Sequence, residues 1–160
     1  MALDLGDKLS GRFASRLAAQ FGAWAPIAGD LGLAKIDRVP PSGKWPARLH
    51  LAHITRMHEI YAVRIDAILS KDEPALAPYR AEADAEWPKW SALKAPEIFE
   101  RARSLRSRMI DELRPLTDPD LARVGEHERL GPLALSMWLE FFLVHEGHHL
   151  YEILKLVREP

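Results

Sequence analysis

The sequence has no cysteine, which excludes disulfides, thiolate zinc sites, iron–sulfur clusters and cysteine nucleophiles. It has no excess of either charge: 22 Lys and Arg stand against 23 Asp and Glu, so no net field favours nucleic acid or an anionic membrane. No apolar run approaches the roughly 20 residues of a spanning helix. Asp4, Asp7 and Lys8 stand where a signal peptide would have its apolar stretch. A cytoplasmic protein without nucleic-acid or membrane partners is the expectation. A P-loop, a dinucleotide fingerprint and G-x-S-x-G are also missing, as are runs of alternating β-branched residues. What is present is 160 residues, 48% hydrophobic and 28% charged, with seven histidines. That reads as a single domain over 1–160, large enough to bury a core without covalent staples.

Apolar residues recur at helical spacing between a few breaks: 29–32, Pro40–Gly43, Pro74 to Pro88, and Thr117–Pro119. Four main helices are predicted, over 5–28, 46–70, 95–115 and 132–158. Pro46, Pro96 and Pro132 suit first turns, where a missing N–H costs nothing. The fold class is therefore all-α, a four-helix bundle. The stretch 71–95 is longer than a bundle hairpin needs and leaves room for a crossover between the second and third helices. Its Trp87 and Trp90 predict that it packs on the body.

The histidines are placed by angle, at 100° per residue. On the last helix, taking Trp138 as zero, His145 lies at about −20° and His149 at about 20°, inside an aromatic and aliphatic stripe. A second apolar stripe, Leu139, Leu143, Leu150 and Leu154, predicts that this helix is central or covered by a partner. On the second helix His53 shares the core stripe with Leu49, Met57 and Ile60, His50 lies at its edge, and His58 points away. Arg64, three turns along or roughly 16 Å, is expected to pair with a core-edge carboxylate rather than reach the same site.

An i, i+4 pair brings two ring nitrogens to one point, and a third imidazole from a facing helix makes a three-histidine metal site. Core histidines bonded to carbonyls or carboxylates are the other reading of the same residues. His145–Glu146–Gly147–His148–His149 also satisfies H-E-x-x-H, with Glu146 as a candidate for proton transfer. A protease does not follow, because Glu152 and Lys155 stand where the extended motif requires Gly and His. His127 reads as a loop histidine.

Several segments together resemble the DinB/YfiT-like superfamily of metalloenzymes. Lys44–Trp45–Pro46 with Leu49–His50–Leu51–Ala52–His53 is similar to that family's entry to its second helix. Glu59, Arg64 and Ile68–Leu69 continue the match. Leu121–Gly125 and Leu130–Leu133 resemble the approach to the last helix, and Val144–His149 its H-(D/E)-x-x-H segment. One departure is Glu152–Ile153, where the family often has Gln–Ile. The resemblance implies an up–down–down–up bundle and a divalent metal, often zinc or nickel, held by His53, His145 and His149. It also implies a homodimer, and a hydrolase or thiol S-transferase acting on a small-molecule substrate through water or a low-molecular-weight thiol. A non-catalytic metal-binding or protein-interaction bundle is the competing expectation.

Overall fold

The computed structural model describes residues 8–29 and 35–158. Helix α1 spans Leu9–Gly22 and α2 Trp24–Gly29. The single helix predicted over 5–28 is broken at Ala23, because Pro26 has no N–H for the Gly22 carbonyl; residues 5–7 lie outside the described residues. Helix α3 (Ala47–Ser70) begins on Pro46, and α5 (Ala95–Leu113) begins where Glu97 accepts from the Lys94 N–H at 2.9 Å. Both stay close to their predicted bounds. Helix α7 (Leu135–Arg158) starts three residues after Pro132. Two short helices, α4 (Trp87–Ser91) and α6 (Asp118–Ala122), lie in the connections.

Side-chain bonds between helices give the directions. Arg16 pairs with Glu140 and Gln20 donates to the Leu143 carbonyl at 3.0 Å, so α1 and α7 run parallel. Ser10 donates to the Arg114 carbonyl and Arg106 to that of Leu17, so α5 runs against α1. His50 meets His149 while Tyr61 meets Trp138, so α3 runs against α7. The order is up–down–down–up. Helices α3 and α5 are therefore parallel, and the 71–94 connector is long because it must return the chain along the bundle.

The structure contains a small sheet where no strand is predicted from the sequence. β1 (Ala75–Leu76) pairs in parallel with β2 (Val124–His127), and β2 pairs antiparallel with β3 (Gly131–Ala134). Pro132, expected in the first turn of the last helix, lies on β3, an edge strand that tolerates a residue without an N–H. Gly131 turns the hairpin at φ +71°. Gly125 lets β2 sit directly on α3, since a Cβ there would lie 2.7 Å from Ile68. This sheet fastens the connector to the approach to α7, and so brings two remote segments over the same end of α3.

Two apolar clusters fill the bundle. One gathers Phe13, Leu17, Tyr61, Ile65, Met109, Leu113, Trp138 and Phe142; the other Trp24, Leu51, Ile54, Ile98, Leu150 and Ile153. Most of the second stripe of α7 is covered by this chain's own α1 and α2, since Leu139, Leu143 and Leu150 are buried in these clusters, while Leu154 at its end is exposed. Between the clusters lies a polar layer. Arg106 Nε donates to His58 Nε2 at 2.9 Å, the Arg106 guanidinium pairs with Glu146, and Trp24 Nε1 donates to Glu146 at 3.0 Å. All four side chains are essentially fully buried.

His58 Nδ1–H donates to the Ile54 carbonyl at 2.8 Å. Burial, with the Arg106 cation beside it, holds this imidazole down at about 3. In the unfolded chain it titrates near 6.5. Between those values the unfolded state binds a proton that the folded state refuses, so folding stability falls as pH drops from about 6.5 towards 3. One such group contributes a slope of about 1.4 kcal/mol per pH unit. Glutamine can still accept from Arg106 but does not titrate. Urea unfolding of His58→Gln between about pH 6 and 4.5 is expected to show a slope lower than wild type by about that amount; equal slopes would contradict the neutral buried imidazole.

Candidate metal centre

The core stripes of α3 and α7 face each other, which brings His53 against His145 and His149. His53 Nε2 lies 3.2 Å from His145 Nε2, and His145 Nε2 lies 3.2 Å from His149 Nε2. The three donor atoms all fall within 4.8 Å of one another. Burial lowers all three rings, helped by the charge that nearby imidazoles would impose on His53 and His149 and by His148 and Arg64 at His145: His53 to about 3, His145 to about 4 and His149 to about 2. At neutral pH they are uncharged, and a neutral imidazole offers a lone pair.

The donor set fits a cation. A neutral ring nitrogen carries either a proton or a lone pair, so His145 Nε2 cannot donate to one neighbour while accepting from the other. A cation would take all three lone pairs. Tetrahedral bonds of about 2.0–2.1 Å place ligand nitrogens roughly 3.3 Å apart, close to the two spacings observed. His53 Nδ1 is buried without a hydrogen-bond partner, so Nε2 alone carries that residue's chemistry.

The sequence fits the family model of the DinB superfamily over residues 16–153, a span that carries all three histidines. The chain belongs to the DinB superfamily. It is 25% identical over 131 residues to a "Putative metal-dependent hydrolase" of Oceanobacillus iheyensis, covering 81% of this chain and 74% of that protein. It is 27% identical over 127 residues to a Bacillus cereus protein of the same description, covering 79% and 73%. The fold matches YfiT from Bacillus subtilis, described as "a probable metal-dependent hydrolase with an unusual four-helix bundle topology", at a TM-score of 0.81 and 20% identity, covering 98% of this chain and 89% of that one.

Around this DinB centre the other predicted residues separate. His50, expected at the stripe's edge, is buried with its Nδ1 2.8 Å from His149 Nδ1. With the His149 Nε2 lone pair turned to the centre, its proton sits on Nδ1 and donates to His50, which fixes tautomer and ring orientation together. His50 is also hydrogen-bonded to the Trp45 backbone. The rings of Trp45 and Trp87 stack 5.2 Å apart and pack on His53, sealing that side from water, so the connector's tryptophan serves the site. His148 is exposed and Glu152 pairs with Lys155 at 2.6 Å.

Glu146 requires a correction. A candidate for proton transfer from H-E-x-x-H, it is buried in the polar layer. Trp24 holds one of its carboxylate oxygens and Arg106 the other. What faces it is the buried Arg106 of α5, which no spacing on α7 could show. Arg64 is the second correction. It has no carboxylate partner among the described residues; it donates to the Ala77 carbonyl at 2.9 Å and lies over the rings of Tyr61 and Trp138, each centroid 5.2 Å away. It also lines the same cavity as His53 and His145. His127, read as a loop histidine, ends β2 and lines that cavity too. Finding it required the β1–β2 pairing.

Proposed function

We propose that this DinB protein is a metal-dependent hydrolase of a small-molecule substrate, with His53, His145 and His149 holding one divalent cation, zinc or nickel. The observation that carries this reading is the convergence of three neutral Nε2 atoms, those of buried His53 and half-buried His145 and His149, beside a cavity of about 330 Å³ that His53 and His145 line. Such a cation, when bound, supplies Lewis-acid chemistry and brings the pKa of a bound water or thiol towards the neutral range. This chain supplies the rest. Its three imidazoles present lone pairs without first losing protons, His50 holds His149 in register, and Trp45 and Trp87 keep water from the flank of His53. With no cysteine in the chain, a thiol nucleophile comes from a cosubstrate. Among the described residues no helix is long and apolar enough to cross a membrane. Met137, Val144 and Tyr151 are exposed on α7 at intervals of seven, an apolar strip that supports the homodimer.

The test is turnover of p-nitrophenyl esters, with and without a low-molecular-weight thiol, after chelation and metal return. Turnover is expected to disappear on chelation, to return with zinc or nickel, and to be absent from His53→Ala. Turnover indifferent to chelation contradicts the reading. Stoichiometric metal without turnover of any ester favours the non-catalytic bundle.

A further inference from the structure

The cavity beside the triad is unevenly charged. His53 and His145 form one end; Arg64, Arg80 and Arg129 line the remainder, against one carboxylate, the exposed Glu128. Arg80 and Arg129 reach solvent and are screened. Arg64 is different, because only 8% of it is exposed. Its contacts are a main-chain carbonyl, Tyr61 and two ring faces. Burial penalises this cation enough to lower its proton affinity despite those contacts. A guanidinium taken out of water is normally matched by an anion in a two-pronged bond, and this chain provides none among the described residues.

His127 adds a second donor to the same cavity. Its Nδ1 accepts from the main-chain N–H groups of Arg129 and Leu130, both at 3.1 Å. The ring's proton is thereby placed on Nε2, and Trp138 and Phe141 pack on the ring and hold its plane. A fixed N–H donor and a buried guanidinium line one cavity together with His53 and His145 of the triad, and make a two-part site.

We propose that Arg64 anchors an oxyanion of the substrate, a carboxylate or a phosphate, with His127 Nε2–H as a second donor, while the reactive bond lies at the triad. The second half of this statement rests on the metal-dependent hydrolase reading; anion capture does not. The cavity is at the small end of ligand sites, so the substrate class is a small anionic metabolite rather than a peptide or polymer.

The experiment uses chelator-treated full-length protein, so that no metal can coordinate the probe. Benzoate, phenyl phosphate and neutral benzamide are titrated by calorimetry, and arginine Nε–H and tryptophan indole resonances are followed by NMR. An anionic probe is expected to bind and to shift the Arg64 and Trp138 signals, while benzamide does neither. Tighter binding of benzoate assigns a carboxylate, and tighter binding of phenyl phosphate a phosphate. Arg64→Met is expected to lose at least about tenfold in affinity, as one charge-assisted bond removed implies, and Arg64→Lys to recover part of it. Benzamide binding as well as the anions, full affinity in Arg64→Met, or shifts confined to other arginines would overturn the proposal. If the methionine variant does not fold, the wild-type resonance map decides. Anion binding with no metal-dependent turnover would count against the hydrolase reading alone, and turnover of esters without anion preference against the anchor alone.

Discussion

Replacing His149 by alanine is expected to weaken zinc binding by more than about 100-fold while leaving the helical signal intact. The reason is the donor count: His149 gives one of three lone pairs, and its loss leaves two imidazoles 3.2 Å apart with no third nitrogen. His50→Ala provides the graded comparison. His50 touches only the far nitrogen of His149, and an outer partner of a metal-bound imidazole is worth about 10–100-fold in affinity. Competition against a chromophoric chelator measures both. Equal effects of the two substitutions, or retention of wild-type affinity in His149→Ala, would contradict the assignment of His149 as a ligand and His50 as its support.

Glu146→Gln is expected to act on the fold rather than on the metal. Glutamine is nearly isosteric, but it leaves the Arg106 cation buried without its counter-charge. Breaking one side of a buried pair costs about 3–5 kcal/mol. For a chain of this size that lowers Tm by roughly 6–20 °C. Zinc stoichiometry of the folded variant is expected to stay at one per chain. Were Glu146 instead the proton-transfer group suggested by H-E-x-x-H, the same substitution would leave Tm unchanged and remove turnover. Calorimetric melting together with metal analysis separates the two outcomes.

Much of the architecture could be read from periodicity because the apolar residues of α3, α5 and α7 recur at helical spacing and proline punctuates the chain near each helix start. The triad was legible for the same reason: His53, His145 and His149 lie in apolar stripes, and a stripe is a statement about which way a side chain faces. Partners across the bundle are not statements of that kind. The partners of Glu146 and Arg64 are of that other kind: Arg106 and the Ala77 carbonyl come from segments whose approach depends on the whole fold. Arg106 itself sits in a helix rich in surface arginines, and no local signal marks it as the buried one. The sheet escaped notice because its strands are two to four residues long and carry Gly125, Gly131 and Pro132, which in sequence read as loop and helix start. Without the sheet, Tyr79 and His127 have no reason to line one cavity, and the cavity beside the triad is invisible.

Diffraction from zinc-loaded crystals, collected on both sides of the zinc absorption edge, tests the central claim most directly. The expected result is one anomalous peak per chain, about 2.0–2.1 Å from Nε2 of His53, His145 and His149. A peak ligated by other side chains, or none at that point in stoichiometrically loaded protein, would contradict it.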